Sequence, residues 1–600
     1  MVSRRNLVTV LLMMGTIFFM FQFTQVVKVR NNRYDTNEYV KESSQSADGR
    51  YTASEGDDYI VYFGQADTER YEAAKEWCDY TKRNLVSYKS FSDASEAKVS
   101  KSEMILIDAE TSDCFDESQK IVEMAEYQVP MVFVTMPEPG ELKHSYRLRE
   151  ILGISRIRED SVTAKGFQVF EGFLLGGEAA YKPQKEEEKK YNDLNLSFPW
   201  YETGAGSKTY AVGMMDEEEY KANEFPKLLW RNNYNGTFVY AVCADLINEE
   251  TGMGFLSAIE YSAKDYVLYP VVNAQNMVLS DYPTITEENT DTIKGIYSMD
   301  ALTLSRDITW PVIVSIANRY NLKMTCFVNT GYNYPDKNHP SEEYLEFYQQ
   351  QVKEINGEIG RSLDSRDYEA QFKSKTRDDE FFFESEKDYH FASAYVPHMS
   401  DDVTSRIEED NRFLSRINTV ISNKDENETL SYISDKVTLQ SITNVADEYT
   451  YSKELKHRCM LTSIGYATTL IDMHKVQFPE ETDDEWQVYS KLITSNLNTY
   501  WTANDEFEYT AVSQSDNRVR DFLNLDYETK KEDDRIKITT ENVDEAYFVL
   551  RTHNEDILKA VNAEYTKIEK DAYLIKVKGA DADIVLSADK EVLKYDGMLK

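Results

Sequence analysis

Histidine spacing sets the first limit on what this chain can do. Its seven histidines are His144, His339, His390, His398, His457, His474 and His553, and no two are four apart. The H-x-x-x-H pair that sets two imidazoles on one helix face for a metal is therefore absent. The five cysteines, Cys78, Cys114, Cys243, Cys326 and Cys459, form no C-x-x-C pair and no disulfide framework. No Gly-flanked Ser or Cys elbow and no Gly-rich phosphate loop follows an apolar run; MVFVT at 131–135 leads instead into Met136-Pro137-Glu138-Pro139-Gly140. What is left for chemistry is carboxylates and single imidazoles, the loop histidines His390 and His398 among them. Tyr332, Tyr334, Tyr344 and Tyr348 add aromatic faces of the kind that stack on pyranose rings.

The elements that must position these groups begin with a membrane segment. Arg4 and Arg5 precede a run from Leu7 to Val27 that carries no charge, long enough to cross the hydrocarbon core. Phe23-Thr24-Gln25-Val26-Val27 offers no small-x-small cleavage site, so the expectation is an uncleaved single-pass anchor, 1–27, with the body extracytoplasmic. Residues 28–58 are polar, lack apolar periodicity and read as a stalk. The net charge of −39 argues against nucleic acid as a partner of the body; it reads as solubility outside a cell or, alternatively, as affinity for a cationic polymer. A secreted body without disulfides fits a Gram-positive bacterium.

From Tyr59 the chain alternates apolar strands with amphipathic helices, as expected for an α/β domain over 59–280 built on a parallel, flavodoxin-like or amidotransferase-like sheet. An acidic linker is read around Lys185-Glu186-Glu187-Glu188, and the helix and strand of 253–272 are expected to return to the same sheet. The next domain is set at 281–500, where the segment from Gly295 reads as strand, loop, helix ending near Tyr320, then strand at 323–329, with further units to about 500. Beyond Phe507 short alternating strands predict a β-sandwich over 507–600.

The 295–331 segment resembles the opening of a NodB-type polysaccharide deacetylase. Ser298-Met299-Asp300-Ala301 stands in its Asp-Asp motif, Met324-Thr325-Cys326-Phe327-Val328 in its second strand, Gly357-Glu358-Ile359-Gly360-Arg361-Ser362 in its His-Glu-Ile-Gly segment, and Leu470-Ile471-Asp472-Met473-His474 in the late strand that supplies a catalytic His. The order of anchor, α/β domain, NodB-like (β/α) barrel and terminal β-sandwich is similar to that of the membrane-anchored PelA-like deacetylases of Gram-positive exopolysaccharide clusters.

Such enzymes hold a divalent metal on one Asp and two His, with a second Asp as base and a distant His as acid. The resemblance carries the base to Asp300 and the acid to His474, but it sets the three ligand positions on Ala301, Ser362 and Arg366, which leaves no metal site and no cofactor. The implied function is a pseudoenzyme barrel that binds or guides an exopolysaccharide, for instance a cationic aminosugar polymer, beside membrane synthase components. Two alternatives stay open: an active carbohydrate N-deacetylase whose metal, such as zinc, sits in a rearranged site using Asp364 or Asp367, and a structural scaffold of a synthase complex.

Overall fold

The computed structural model describes residues 45–53, 58–194, 196–216, 218–333, 339–385, 391–408, 414–424, 428–502 and 506–587. The anchor at 1–27, the first part of the stalk, Tyr334 and His390 lie outside the described residues. Among the described residues no helix is long and apolar enough to cross a membrane.

The first layer is a nine-stranded sheet. Its five parallel strands run in the order Asn84–Tyr88, Tyr59–Phe63, Met104–Asp108, Met131–Thr135 and Thr237–Val242, and four antiparallel strands extend it. The three central parallel strands are almost wholly buried, as expected where helices cover both faces. Helix Gly252–Ala263 is buried along nearly its whole length, because it packs between this layer and the next, and its one charged residue, Glu260, is paired with Arg83. Trp77 Nε1 donates to Ser257 Oγ on one side of it. On the other, a Cβ on Gly254 would fall within 2.8 Å of the Cys459 backbone, so only glycine allows that helix contact.

The strand after this helix does not return to the first sheet. Tyr266–Val271 pairs antiparallel with Glu545–Thr552 in a C-terminal sheet, and after Asn273, in the left-handed region at φ 57°, Ala274–Ser280 enters the barrel. Asn273, Gln275 and Asn276, all buried, interrupt the apolar pattern between the two strands, so the sequence marks a break there but not the change of partner. Two four-stranded sheets, with Phe548, Ile575, Ile536 and Ile584 among the residues between them, form the C-terminal unit.

Seven parallel strands form the barrel. Ala274–Ser280 is flanked by Met324–Val328 and Tyr466–Asp472, and the order continues through Glu358–Ser362, Ser393–Val396, Thr419–Asn423 and Thr438–Ile442. The last of these runs on through Thr443 into Asn444–Val445, which pairs with Thr469 and Leu470, while Thr443 N donates to Thr468 O at 2.9 Å. The stretch 438–445 thus joins one edge to the other and closes the ring. Helix Val512–Asn524 plugs the N-terminal end: Val512 N donates to Thr325 Oγ1, Ser513 N to Glu358 Oε2, and Ser515 Oγ to Gln440 Oε1. The C-terminal mouth lies at the end of the barrel away from this helix.

Three expectations fail locally. The segment expected to be a β-sandwich over 507–600 begins instead with helix Val512–Asn524, which packs on the barrel. Thr290–Tyr297 is a helix rather than a strand, its Ile293 buried and its Asp291 and Lys294 matched to the helix ends. The stalk is not wholly free of the body, because Gln45 Nε2 donates to Asp521 Oδ1 at 2.8 Å and Tyr51 N to Leu523 O at 3.1 Å.

Candidate functional site

Parallel strands present their C-terminal ends on one rim, so residues just past each strand converge there. Asp281 follows the first barrel strand, Asn329 the second, Asp364 the third, and Asp472 and His474 come from the end of Tyr466–Asp472. Asp281 is 2% exposed. Its Oδ1 accepts from Ser362 Oγ at 2.6 Å and from Asn329 Nδ2 at 2.8 Å, and its Oδ2 stands 3.3 Å from His474 Nδ1. Neither Asp281 Oδ2 nor His474 Nδ1 makes an aligned hydrogen bond, although both are buried. Asp281, Asp364 and His474 each offer one ligand atom, and the three atoms lie within 4.8 Å of one another.

A supporting layer fixes these groups. Asn329 Nδ2 also donates to Asp364 O at 3.0 Å, while its Oδ1 accepts from Lys375 Nζ at 2.8 Å and from Gly331 N at 3.0 Å. The buried Lys375 ammonium further reaches Thr330 Oγ1 at 2.9 Å and Gly331 O at 3.2 Å, and pairs with Asp379, which also holds Arg361. Glu288 accepts from Tyr332 N and Asn333 N, so that the Tyr332 ring is held 4.2 Å from the imidazole of His474, with Phe478 stacked on the same imidazole at 4.8 Å. Asp472 Oδ1 accepts from Ser280 Oγ and from His474 N.

The electrostatics follow from crowding carboxylates in a dry mouth. Burial, with the charges of Asp281 and Asp472, pushes Asp364 up to about 8. Burial also raises Asp472 and Glu288. Although burial works against it, Asp281 is held below its ordinary value by His474, Ser362 and Asn329. Burial opposes protonation of His474 too, but Asp281, Asp472 and Asp364 together raise its value. Lys375 is brought down to about 7 by burial and by Arg361.

Two carboxylates and one imidazole with a buried, unpaired oxygen and nitrogen turned toward each other suit a divalent cation such as Zn²⁺, Mn²⁺ or Co²⁺. A cation would also offset the burial and the carboxylate repulsion that together raise Asp364.

Of the residues singled out from sequence, His474 and Asp364 are in this cluster, and Ser362 supports it through Asp281. Asp300 is not: it is the N-cap of helix Ala301–Leu304, accepting from Thr303 N at 2.7 Å. Ala301 packs with Ile293 and Leu304 instead of facing the mouth, since it lies on a helix and not at a strand end. Arg366 and Asp367 are exposed, and His398 is exposed beyond its strand. Tyr332 reaches the site, whereas Tyr348 is core and Tyr344 lies beside Arg306. Asp281, Asn329 and Lys375 were not anticipated. The signal for Asp281 was present, an acid directly after the seven-residue buried strand that precedes Met324–Val328.

Residues 211–371 match a sequence family described as "Uncharacterised protein conserved in bacteria (DUF2194)". None of the curated proteins matches. Among solved structures, a putative polysaccharide deacetylase from Mycobacterium smegmatis is similar at 10% identity, over 41% of this chain and 90% of that one, with a TM-score of 0.26. An exo-β-1,4-mannosidase from Opitutaceae bacterium strain TAV5 is 12% identical over 34% of this chain, which spans only 35% of the mannosidase, with a TM-score of 0.24. A GH30 endoxylanase from Clostridium papyrosolvens is 8% identical over 54% of this chain and 100% of that one, with a TM-score of 0.24.

Proposed function

We propose that the barrel is a divalent-metal-dependent glycan N-deacetylase whose metal site has moved from the positions of the resemblance, Ala301, Ser362 and Arg366, to Asp281, Asp364 and His474. The observation that carries this reading is the convergence of those three ligand atoms, within 4.8 Å, at the C-terminal mouth of the barrel, opposite helix Val512–Asn524. A bound cation would supply polarisation of an acetamide carbonyl and a lower pKa for attacking water. The chain's own residues do the rest. Asn329 and Ser362 fix the orientation of Asp281. Tyr332 and Phe478 hold the imidazole of His474 and keep water from its faces. Asp472, anchored by Ser280 and raised by burial, is the group placed to take a proton from water and return it to the leaving amine.

The finer setting is a proposal as well: a PelA-like exopolysaccharide protein, tethered by 1–27, with its body extracytoplasmic and its acidic surface favouring a deacetylated, cationic product. Protease added outside intact cells should then digest the body.

The test is acetate release from N-acetylated aminosugar oligomers by protein supplied with Zn²⁺ or Co²⁺. Release by the wild type and its loss in Asp364→Asn support the reading. A second reading, glycan binding without turnover, is favoured by Ser362 and Arg366 standing where the resemblance places imidazoles, and it predicts saturable oligomer binding with no acetate under any metal.

A further inference from the structure

Away from the Asp281 cluster, an open groove of about 770 Å³ lies between the 180–191 segment of the first layer and the barrel rim. Its aromatic wall is Tyr449 stacked face to face on Tyr500, their planes 7° apart, with Tyr191 set edge-on to Tyr449 at 5.2 Å. Tyr449 is buried and its hydroxyl donates to Glu454 Oε2 at 2.6 Å, so the platform is braced from behind, whereas Tyr191 and Tyr500 are half-exposed toward the groove. Gln184, Glu187 and Lys190 supply a rim of both charge signs. The two walls are tied together by Ser452 N, which donates to Asp193 Oδ1 at 3.0 Å.

The groove shares its rim with the candidate metal centre. Asp447, two residues before Tyr449, accepts from Lys475 Nζ at 2.6 Å, and Lys475 directly follows His474. Tyr489 Oη lies within hydrogen-bond distance of both Asp447 Oδ1, at 3.2 Å, and Asp472 O, at 2.8 Å. The loops that carry the groove and the centre are thus braced against each other.

We infer that this groove is a distal subsite that holds an uncharged, N-acetylated glycan chain while another of its units occupies the barrel mouth; this rests on the glycan reading of that mouth. Planar rings with polar edges match the C–H face and hydroxyl rim of a pyranose. The volume suits a few sugar units. A rim of mixed sign attracts neither a polyanion nor a polycation, unlike the strongly acidic chain as a whole.

The probes are the dimer and the hexamer of β-1,4-linked N-acetylglucosamine, titrated calorimetrically into the detergent-solubilised full chain. The wild type should bind the hexamer more tightly than the dimer. Tyr500→Ala and Tyr191→Ala should each weaken hexamer binding about tenfold, the scale of one lost ring contact, and leave dimer and metal binding unchanged. Equal affinities for dimer and hexamer, no hexamer binding, or hexamer binding unaffected by both substitutions would overturn the subsite. Hexamer binding that depends on Tyr500 and Tyr191 without acetate release would keep the subsite and overturn the hydrolase reading instead.

Discussion

His474 Nδ1 stands 3.3 Å from Asp281 Oδ2, both atoms buried and neither in an aligned hydrogen bond. Leaving two such atoms unsatisfied costs free energy unless a proton or a cation joins them. A proton can serve below neutrality. A divalent metal serves at every pH where the ligands ionise, and it also draws in Asp364.

That competition has a sign. The folded value of Asp364, about 8, lies above its unfolded value near 3.9, so the stability it contributes is full below about pH 4 and is lost as pH rises toward 8. His474, also raised, adds stability that fades as pH climbs past about 6.5. Asp281, held low, acts oppositely and loses its contribution only as pH falls below about 4. Metal-free wild type should therefore melt at lower temperature at pH 8 than at pH 6. Metal-free Asp364→Asn should melt higher than metal-free wild type at pH 8, with the gap closing toward pH 4. Calorimetric scans in chelator check this, and a variant less stable than wild type at pH 8 would contradict the assignment.

Metal affinity should rise with pH up to about 8 and then level off, because binding displaces the proton from Asp364 and the one shared by His474. Titrations in buffers of different ionisation enthalpy should report proton release at pH 6.5 and little at pH 9. Equal release at both would place the protons elsewhere.

Lys375→Met removes the donor that fixes the Asn329 carbonyl oxygen, and through it the amide donated to Asp281. Stability should fall by about 1–3 kcal/mol, since Asn329, Thr330 and Gly331 lose a partner. Metal affinity should drop roughly 10- to 100-fold, the usual effect of losing a residue that orients a ligand. Urea denaturation and metal titration measure the two effects separately. Reduced stability with unchanged metal affinity would reduce Lys375 to a purely structural role.

Asp300→Ala should cost about 1 kcal/mol as a lost N-cap and leave metal binding and acetate release untouched. Loss of activity with retained fold would return Asp300 to the site.

How much of this was legible from sequence varies with the kind of signal. Met324–Val328 was readable as a strand from its apolar run, whereas His474 was singled out by the family resemblance and Asp364 as one of the carboxylates of a rearranged site; each lies two residues past a barrel strand. Asp281 was hidden. Its strand, polar at Gln275 and Asn276, fell at the end of the expected 59–280 domain, so the first barrel strand was sought beyond Gly295, where Asp300 proved to be a helix cap. Lys375 carries no sequence signal at all: on an otherwise polar helix its burial is decided by the loop that folds over it.

The central claim is tested most directly by the metal stoichiometry of the purified full chain after chelation and reloading with Zn²⁺ or Mn²⁺, read by elemental analysis and calorimetric titration. The account predicts one ion per chain in the wild type, with affinity falling about 100-fold or more in Asp281→Asn, Asp364→Asn and His474→Ala, and unchanged in Asp300→Ala. A wild type that binds no ion, or that binds it as tightly after Asp364→Asn and Asp281→Asn, would contradict it.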